Sequence, residues 1–256
     1  MVKLPAESVG AGDHRRRSAM EETRTIGILG GMGPLATAYF LTRFVQLTDA
    51  DKDQDHLHII VDDYAMIPDR TAHIEGKGPD PLPYMIEAGL RLRNAGAEII
   101  AMPCNTAHHY FEPLKRAVGV DFVHMPRTAA EDAARLVSPG GKVGVLATVG
   151  TISNGIYRRE LEALGYEEVV PDAEGQGIVT RAIYDGVKAG KGPESASEFM
   201  YAVEELRGKG AEAIILGCTE LSVIGSWLGL KDGFIDAMDS TAVKVIRMAG
   251  GKAKPL

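Results

Sequence analysis

The chain contains two cysteines, and each ends a short apolar segment rich in isoleucine. Cys104 follows Gly96 by eight residues, Cys218 follows Gly210 by the same eight, and Gly-Ala-Glu opens both segments. A short apolar segment between a glycine and small polar residues is typical of a buried strand. Two thiols at equivalent strand ends could act as an acid/base pair, in which a thiolate removes a proton from carbon and a thiol returns one to the opposite face.

Small polar residues follow both cysteines: Asn105 and Thr106 after the first, Thr219 after the second. Asn105 or Thr106 could cap a helix, which would place the Cys104 thiol at a helix N-terminus, where a thiolate is stabilised. His108 either assists Cys104 or is a helix residue without a catalytic role. The alternative for the cysteines is that both are small buried apolar residues.

The sequence does not favour a disulfide or a metal site at the cysteines. Thiols of an intracellular chain are more often reduced than paired. Two thiols supply at most half of a zinc site, and the histidines show no ligand spacing near Cys218. We therefore expect no metal and no disulfide.

A second repeat supports the view that the chain is a duplicated half. The apolar segment at 26–29 leads into the glycine-rich turn around Met32 and Gly33, and the segment at 143–146 leads into the turn around Thr148. The two glycines inside these segments are 117 residues apart and the two cysteines 114 apart, so the halves differ by small insertions. The glycine-rich turn either binds an anion through its backbone amides or is a simple tight turn.

Arg70 lies in a loop that follows another apolar strand. Its guanidinium group either binds a carboxylate through its planar fork or forms a surface ion pair with Asp63 or Asp69. The residues themselves leave both interpretations open.

Strands alternate with helices along the chain, which predicts an α/β fold with two pseudo-symmetric domains, each a parallel sheet flanked by helices. Ligands bind beyond the carboxyl ends of such strands, so we expect the active site in the cleft between the domains. The expected divisions are a disordered N-terminal extension at 1–23, a first half at 24–138 and a second half at 139–256. The C-terminal helix could pack back on the first half.

Composition excludes several classes of function. The chain has 256 residues, 45% hydrophobic and 25% charged, with a formal net charge of −7. This acidic balance argues against nucleic acid or an anionic membrane as a partner. The sequence shows no apolar span and no signal core, which predicts a cytoplasmic protein.

Five segments together resemble the cofactor-independent aspartate/glutamate racemase superfamily, and within it the aspartate racemases. The resemblance extends over residues 25–248, and its motifs lie at 28–37, 67–71, 102–108, 146–151 and 216–221. It implies a two-domain enzyme, usually a homodimer, that racemises a free amino acid without a cofactor.

The resemblance also implies roles for individual residues. Cys104 and Cys218 would be the two bases, and Arg70 and Lys188 would bind the side-chain carboxylate of the substrate. The residues implied to surround its other carboxylate and its amino group are Met32, Gly33, Asn105, Thr106, Thr148 and Thr219.

Aspartate is the expected substrate because its side-chain carboxylate suits the two cations that the resemblance places in the site, Arg70 and Lys188. Glutamate as the sole substrate is disfavoured, because glutamate racemases carry an Asp-Ser-Gly type of first turn where this chain has Gly-Gly-Met-Gly-Pro. The alternatives are a broad-specificity amino-acid racemase and a non-catalytic amino-acid-binding protein. A decarboxylase of the same superfamily is disfavoured because those enzymes keep one cysteine. Arg127 departs from any pattern we expect and could alter the rim of the pocket.

Overall fold

The computed structural model describes residues 23–256, in which eight strands form two parallel sheets. The first sheet has the order β2-β1-β3-β4 and the second the order β6-β5-β7-β8, so the two halves correspond strand for strand. The expected α/β class with two parallel sheets is confirmed. The predicted extension at 1–23 lies outside the described residues, apart from its last residue. The strands are β1 (Ile26–Leu29), β2 (Ile59–Asp62), β3 (Ile99–Ala101), β4 (Asp121–Phe122), β5 (Lys142–Leu146), β6 (Glu167–Val169), β7 (Ala211–Leu216) and β8 (Phe234–Asp236).

Helices connect the strands in both halves. Those of the first half are α1 (Pro34–Leu47), α2 (Arg70–Ile74), α3 (Leu82–Asn94), α4 (Phe111–Val118) and α5 (Met125–Ala133). Those of the second half are α6 (Val149–Ser153), α7 (Ile156–Ala163), α8 (Ala173–Arg181), α9 (Phe199–Gly208), α10 (Thr219–Leu228) and α11 (Ala237–Met248). Short 3-10 helices cover Asp53–Asp55, Thr106–Tyr110, Val187–Ala189 and Pro193–Ala196, and a π-helical turn covers Ala182–Gly186. Among these described elements, no helix is long and apolar enough to span a bilayer.

Two helices begin earlier than the apolar spacing predicts. The apolar spacing predicts one helix over 129–137, but α5 begins at Met125, because Pro126 fits the first turn and the His124 ring accepts a hydrogen bond from the Arg127 amide. The spacing predicts another helix over 178–187, but α8 begins after Asp172, whose carboxylate caps it. In both cases the cap, and not the apolar period, sets the start.

The two halves share one apolar core. Ile26 and Phe40 of the first half belong to the same buried cluster as Val143, Tyr157 and Ile246 of the second. Helix α11 packs against α1 and α5, which lie in the first half. Each large side chain buried in this way contributes about 1.5–3 kcal/mol to stability. The division near residue 138 stays a prediction.

The glycine-rich turn after β1 is held by close packing. Gly31 has φ 85°, and a Cβ atom at this position would lie 2.2 Å from the backbone carbon of Tyr64. The Thr37 hydroxyl, on the first turn of α1, accepts a hydrogen bond from the Gly31 amide and donates one to the Gly33 carbonyl. The turn is therefore fixed where it faces the second half.

Candidate active site

The two cysteines line a single cleft between the halves. Cys104 follows β3 and Cys218 follows β7, strands that hold the same position in their sheets. Both thiols are free, and each cysteine residue is 6% exposed. The residues that line the cleft come from both halves.

The structure brings the residues singled out in the sequence to this cleft. Gly33 is not among the lining residues, but a Cβ atom there would lie 3.7 Å from a Glu220 oxygen and 3.8 Å from the Lys188 amino group. The expected residues that line the cleft are Met32, Arg70, Cys104, Asn105, Thr106, Thr148, Lys188, Cys218 and Thr219.

Arg70 is buried and does not form the surface ion pair that the sequence left open. It opens α2 and is 7% exposed. Its Nη1 donates to the carbonyls of Ile67 and Pro68, at 3.3 and 3.0 Å, and Nη2 donates to the Met32 carbonyl at 3.1 Å. Nε has no hydrogen-bond partner. Since a guanidinium has five N–H groups, Nε–H and one Nη2 N–H are left for a ligand.

The charge of Arg70 acts on the first thiol. Burial by itself would lower the pKa of Arg70, but the charges of Cys104 and Asp69 raise that pKa overall.

Cys218 is bonded to a carboxylate that the sequence did not single out. Its Sγ donates to Glu220 Oε2 at 2.9 Å, and the Thr219 hydroxyl donates to the same oxygen at 3.3 Å. The other carboxylate oxygen, Oε1, pairs with Lys188 Nζ at 2.9 Å. Glu220 is 3% exposed, so the carboxylate that accepts these hydrogen bonds is almost fully buried.

The buried ion pair keeps both of its members charged. Burial would raise the pKa of Glu220, but the Lys188 charge lowers it below the ordinary value. Burial would lower the pKa of Lys188, but the charge of Glu220 raises it. Burial first, and Glu220 second, hold the pKa of the Cys218 thiol well above its ordinary value. Cys218 is therefore a thiol at neutral pH.

Three threonine hydroxyls join the two halves at the cleft. Thr106 Oγ1 lies 2.8 Å from Thr148 Oγ1 and 2.9 Å from Thr151 Oγ1, and the latter two are 3.1 Å apart. Because a hydroxyl both donates and accepts, this triangle can re-orient toward an oxyanion in the cleft.

Asn105 is oriented by a tyrosine from the other half. The Tyr157 hydroxyl donates to Asn105 Oδ1 at 2.6 Å, while Asn105 Nδ2 is buried without a partner. Burial raises the pKa of Tyr157 well above its ordinary value, so its hydroxyl remains a donor. The Asn105 amide therefore offers its N–H groups to the cleft that it lines.

Two residues discussed from the sequence have structural partners instead. His108 Nδ1 lies 2.9 Å from the Cys104 carbonyl, and Nε2 accepts from the Met125 amide at 3.0 Å, so the neutral ring has no free nitrogen for a thiol. Burial lowers its pKa to about 3. Arg127 pairs with Glu160 at 2.8 Å and does not line the cleft.

Sequence reasoning missed Glu220 and Tyr157. A signal for Glu220 is present in the repeat itself, because the position two residues after the cysteine is Thr106 in one half and an acid in the other. Tyr157 gives no such signal, since its spacing predicts only a buried helix residue. The remaining lining residues that were not singled out are Asp69, Thr71 and Tyr184.

The chemistry available here is proton transfer at a carbon atom that lies between two thiols. A substrate carboxylate could be held by the Asn105 amide and the threonine hydroxyls, and a second one by Arg70. Within residues 23–256, no group of three His, Cys, Asp or Glu side chains could hold a metal ion.

The comparisons with known proteins all find racemases as the similar proteins. A family model described as Asp/Glu/Hydantoin racemase matches residues 29–245. The chain is 29% identical over 208 residues to the broad specificity amino-acid racemase RacX of Bacillus subtilis (strain 168), covering 78% of this chain and 86% of the relative.

Two solved structures are similar over most of their length. Picrophilus torridus aspartate racemase is 30% identical with a TM-score of 0.78, covering 90% of this chain and 96% of that one. An aspartate racemase homologue from Pyrococcus horikoshii OT3 is 26% identical with a TM-score of 0.68, covering 89% and 99%.

Proposed function

The chain belongs to the Asp/Glu/hydantoin racemase family, and from this membership we propose that it interconverts L- and D-aspartate with Cys104 and Cys218 as the two bases. Members of this family are isomerases. The observation that carries the proposal is one cleft lined by both thiols, one from each half, together with the cations of Arg70 and Lys188. The reaction as proposed needs no cofactor.

The proposed reaction moves two protons. One cysteine, as thiolate, takes the α-proton, and the electron pair left on Cα spreads into the carboxylate as an enediolate. The other cysteine, as thiol, gives its proton to the opposite face of Cα, which forms the other enantiomer. The Asn105 amide and the hydroxyls of Thr106 and Thr148 would stabilise the charge that develops on the carboxylate.

Aspartate is favoured over amino acids without a second carboxylate because Arg70 and Lys188 both line the cleft. The two N–H groups that Arg70 has left can form a charge-assisted pair with a side-chain carboxylate. Such hydrogen bonds are worth about 1.5–3 kcal/mol each.

The test is proton NMR of L-aspartate and of D-aspartate in heavy water, with dialysed, reduced protein and no added cofactor. We expect the α-proton signal to disappear from both enantiomers while each approaches a racemic mixture. A persistent α-proton signal with aspartate would contradict the proposal, and tight binding without exchange would identify an amino-acid-binding protein instead.

A broader substrate range is the second candidate, and one contact favours it. Lys188 is already paired with Glu220, so it has less capacity for a second carboxylate than a free lysine. The relative from Bacillus subtilis is named a broad specificity racemase. The same NMR assay with glutamate, alanine, serine and lysine distinguishes the two: comparable exchange with neutral amino acids supports breadth.

The assembly and the domain division are further proposals. The family resemblance predicts a homodimer, which light scattering on the purified protein would test. The division into halves at 24–138 and 139–256 predicts that limited proteolysis cuts near residue 138 before it cuts either sheet.

A further inference from the structure

The two cysteines occupy equivalent places in the fold but lie in unlike electrostatic surroundings. Cys104 lines the cleft beside the buried Arg70 cation, whereas the Cys218 thiol is bonded to the Glu220 carboxylate. We propose that Glu220 is a positioning residue that keeps the proton on Cys218 in the resting protein, so that Cys104 enters the reaction as the base. The catalytic part of this statement rests on the proposed racemase function.

The geometry requires a proton between Cys218 and Glu220. Sγ and Oε2 are 2.9 Å apart in a site that is almost fully buried, and two anions at that distance would repel strongly. The other carboxylate oxygen is paired with Lys188, which keeps Glu220 ionised. The proton therefore belongs to the sulfur.

Other charged and titratable groups that act on Cys218 do not reverse this preference. Lys188 favours the thiolate, but its charge is shared with Glu220. Tyr157 and Tyr184 also act on Cys218, and burial raises the pKa of both, so they stay neutral. Cys104 lines the cleft together with the Arg70 and Lys188 cations, and Arg70 comes from the same half as Cys104.

The asymmetry has a consequence for turnover. Cys104 as thiolate accepts the α-proton and becomes a thiol, while Cys218 donates its proton and becomes a thiolate beside Glu220. That second state places two anions together, so the resting arrangement is the more stable of the two. Because two enantiomers have equal free energy, kcat/KM is the same in both directions, and the asymmetry must be measured on the thiols.

The experiment is alkylation of the resting protein by iodoacetamide as a function of pH, with mass spectrometry of the two cysteine peptides. Trypsin separates Cys104 from Cys218, because lysines and arginines lie between them. We expect the alkylation rate of Cys104 to reach half of its maximum at a pH at least about one unit lower than the pH at which the rate of Cys218 does. One pH unit corresponds to a tenfold difference in the ratio of thiolate to thiol. Thiolate absorbance in the ultraviolet at neutral pH should be lost in Cys104→Ser and kept in Cys218→Ser.

Variants of the carboxylate test the role of Glu220 directly. Glu220→Gln should move the Cys218 profile to lower pH and raise its alkylation rate at neutral pH about tenfold or more, since one negative charge is removed. Glu220→Asp keeps the charge and should restore the profile in part. Asp69→Asn, which removes another carboxylate that lines the cleft, is the matched control and should leave the Cys218 profile unchanged.

Two results would overturn the proposal: a Cys218 profile at or below that of Cys104 in the wild-type protein, or an unchanged Cys218 profile in a folded Glu220→Gln variant. The wild-type comparison does not depend on any variant folding. It also does not depend on racemisation, so unequal thiols in a protein that racemises no amino acid would contradict the proposed function alone.

Discussion

At the level of single residues, the site depends on what surrounds each thiol and not on the thiols themselves. A buried cysteine in apolar surroundings is inert, because burial disfavours the thiolate. Here each buried sulfur has a charged neighbour of a different kind, a guanidinium for Cys104 and a carboxylate for Cys218. The proposed mechanism makes use of this difference, because it needs one cysteine as base and the other as acid.

Replacing either cysteine should stop racemisation. We expect Cys104→Ala and Cys218→Ala each to lower kcat for aspartate by about 10²- to 10⁴-fold, the usual contribution of a general acid or base. The measurement is polarimetry or chiral chromatography, with circular dichroism to show that the fold is retained. Full turnover by either single variant would contradict the two-base mechanism.

Arg70 should determine the preference for a second carboxylate. Arg70→Lys keeps the charge but loses the planar fork, and we expect the ratio of kcat/KM for aspartate over alanine to fall about tenfold or more, since one charge-assisted hydrogen bond is worth about 1.5–3 kcal/mol. Arg135→Lys is the control, because the Arg135 side chain is 70% exposed and forms its ion pair with Asp132, outside the cleft. An unchanged ratio in Arg70→Lys would remove Arg70 from substrate recognition.

At the level of elements, the site depends on contacts that connect the two halves. Helix α7 in the second half carries Tyr157, whose hydroxyl orients Asn105 after strand β3 in the first half. The threonine triangle likewise joins the 3-10 helix after Cys104 to the start of α6. In the proposed reaction, the polar groups that hold the substrate carboxylate therefore come from both halves.

Tyr157→Phe should reduce catalysis more than stability. The change removes one hydroxyl and lets the Asn105 amide rotate, so we expect kcat/KM to fall about tenfold, while the free energy of unfolding falls by only about 1 kcal/mol. Steady-state kinetics and urea unfolding measure the two effects. Tyr201→Phe, at an exposed tyrosine on α9, is the matched control.

The opposite pattern of effects on kcat/KM and on the free energy of unfolding would contradict a role of Tyr157 in the site. A large loss of stability with unchanged kcat/KM in the folded fraction would make it a core residue only.

At the level of the whole molecule, the common apolar core fixes how the two sheets face each other. Helix α11 from the second half packs against α1 and α5 of the first, and buried side chains of both halves form one cluster. Stability of the core and geometry of the cleft are therefore linked, and a condition that loosens the core should open the site.

Acid should destabilise the protein through its buried histidines. Burial lowers the pKa of His108 to about 3 and that of His124 to about 4. Below about pH 6.5 the unfolded chain takes up protons that the folded chain does not, so each histidine lowers the free energy of unfolding by up to about 1.4 kcal/mol per pH unit as the pH falls. Urea unfolding at several pH values measures this slope.

The test compares the slope of the free energy of unfolding against pH between a histidine variant and the wild-type protein. The wild-type slope alone is not sufficient, because Asp236 changes the free energy of unfolding in the opposite direction. Burial, then the Asp239 charge, raise the pKa of Asp236 to about 7, so its contribution to stability is lost as the pH rises toward that value. His108→Gln should reduce the slope between about pH 6 and pH 4 by nearly one proton, and the exposed His58→Gln should not. Equal slopes in the His108 variant and the wild-type protein would contradict the assignment.

The order and type of most elements followed from the sequence because they depend on local patterns. Apolar segments bounded by glycine or proline indicated the strands that precede the two cysteines, which are β3 and β7 in the structure. The starts of α5 and α8 were missed because caps at His124 and Asp172 outweigh the apolar period. Each of the site residues named from the resemblance lies in or beside the cleft.

The sequence alone determined the repeat, the equivalent positions of Cys104 and Cys218, and hence a fold with two sheets that present both thiols at strand ends. Only the tertiary structure decided what each thiol contacts. The bonds of Cys218 and Lys188 to Glu220, and of Tyr157 to Asn105, depend on side-chain directions and on how the halves pack. Repeats fix backbone positions, but the ionisation of a buried group depends on the few atoms around it, and those come from segments far apart in the chain.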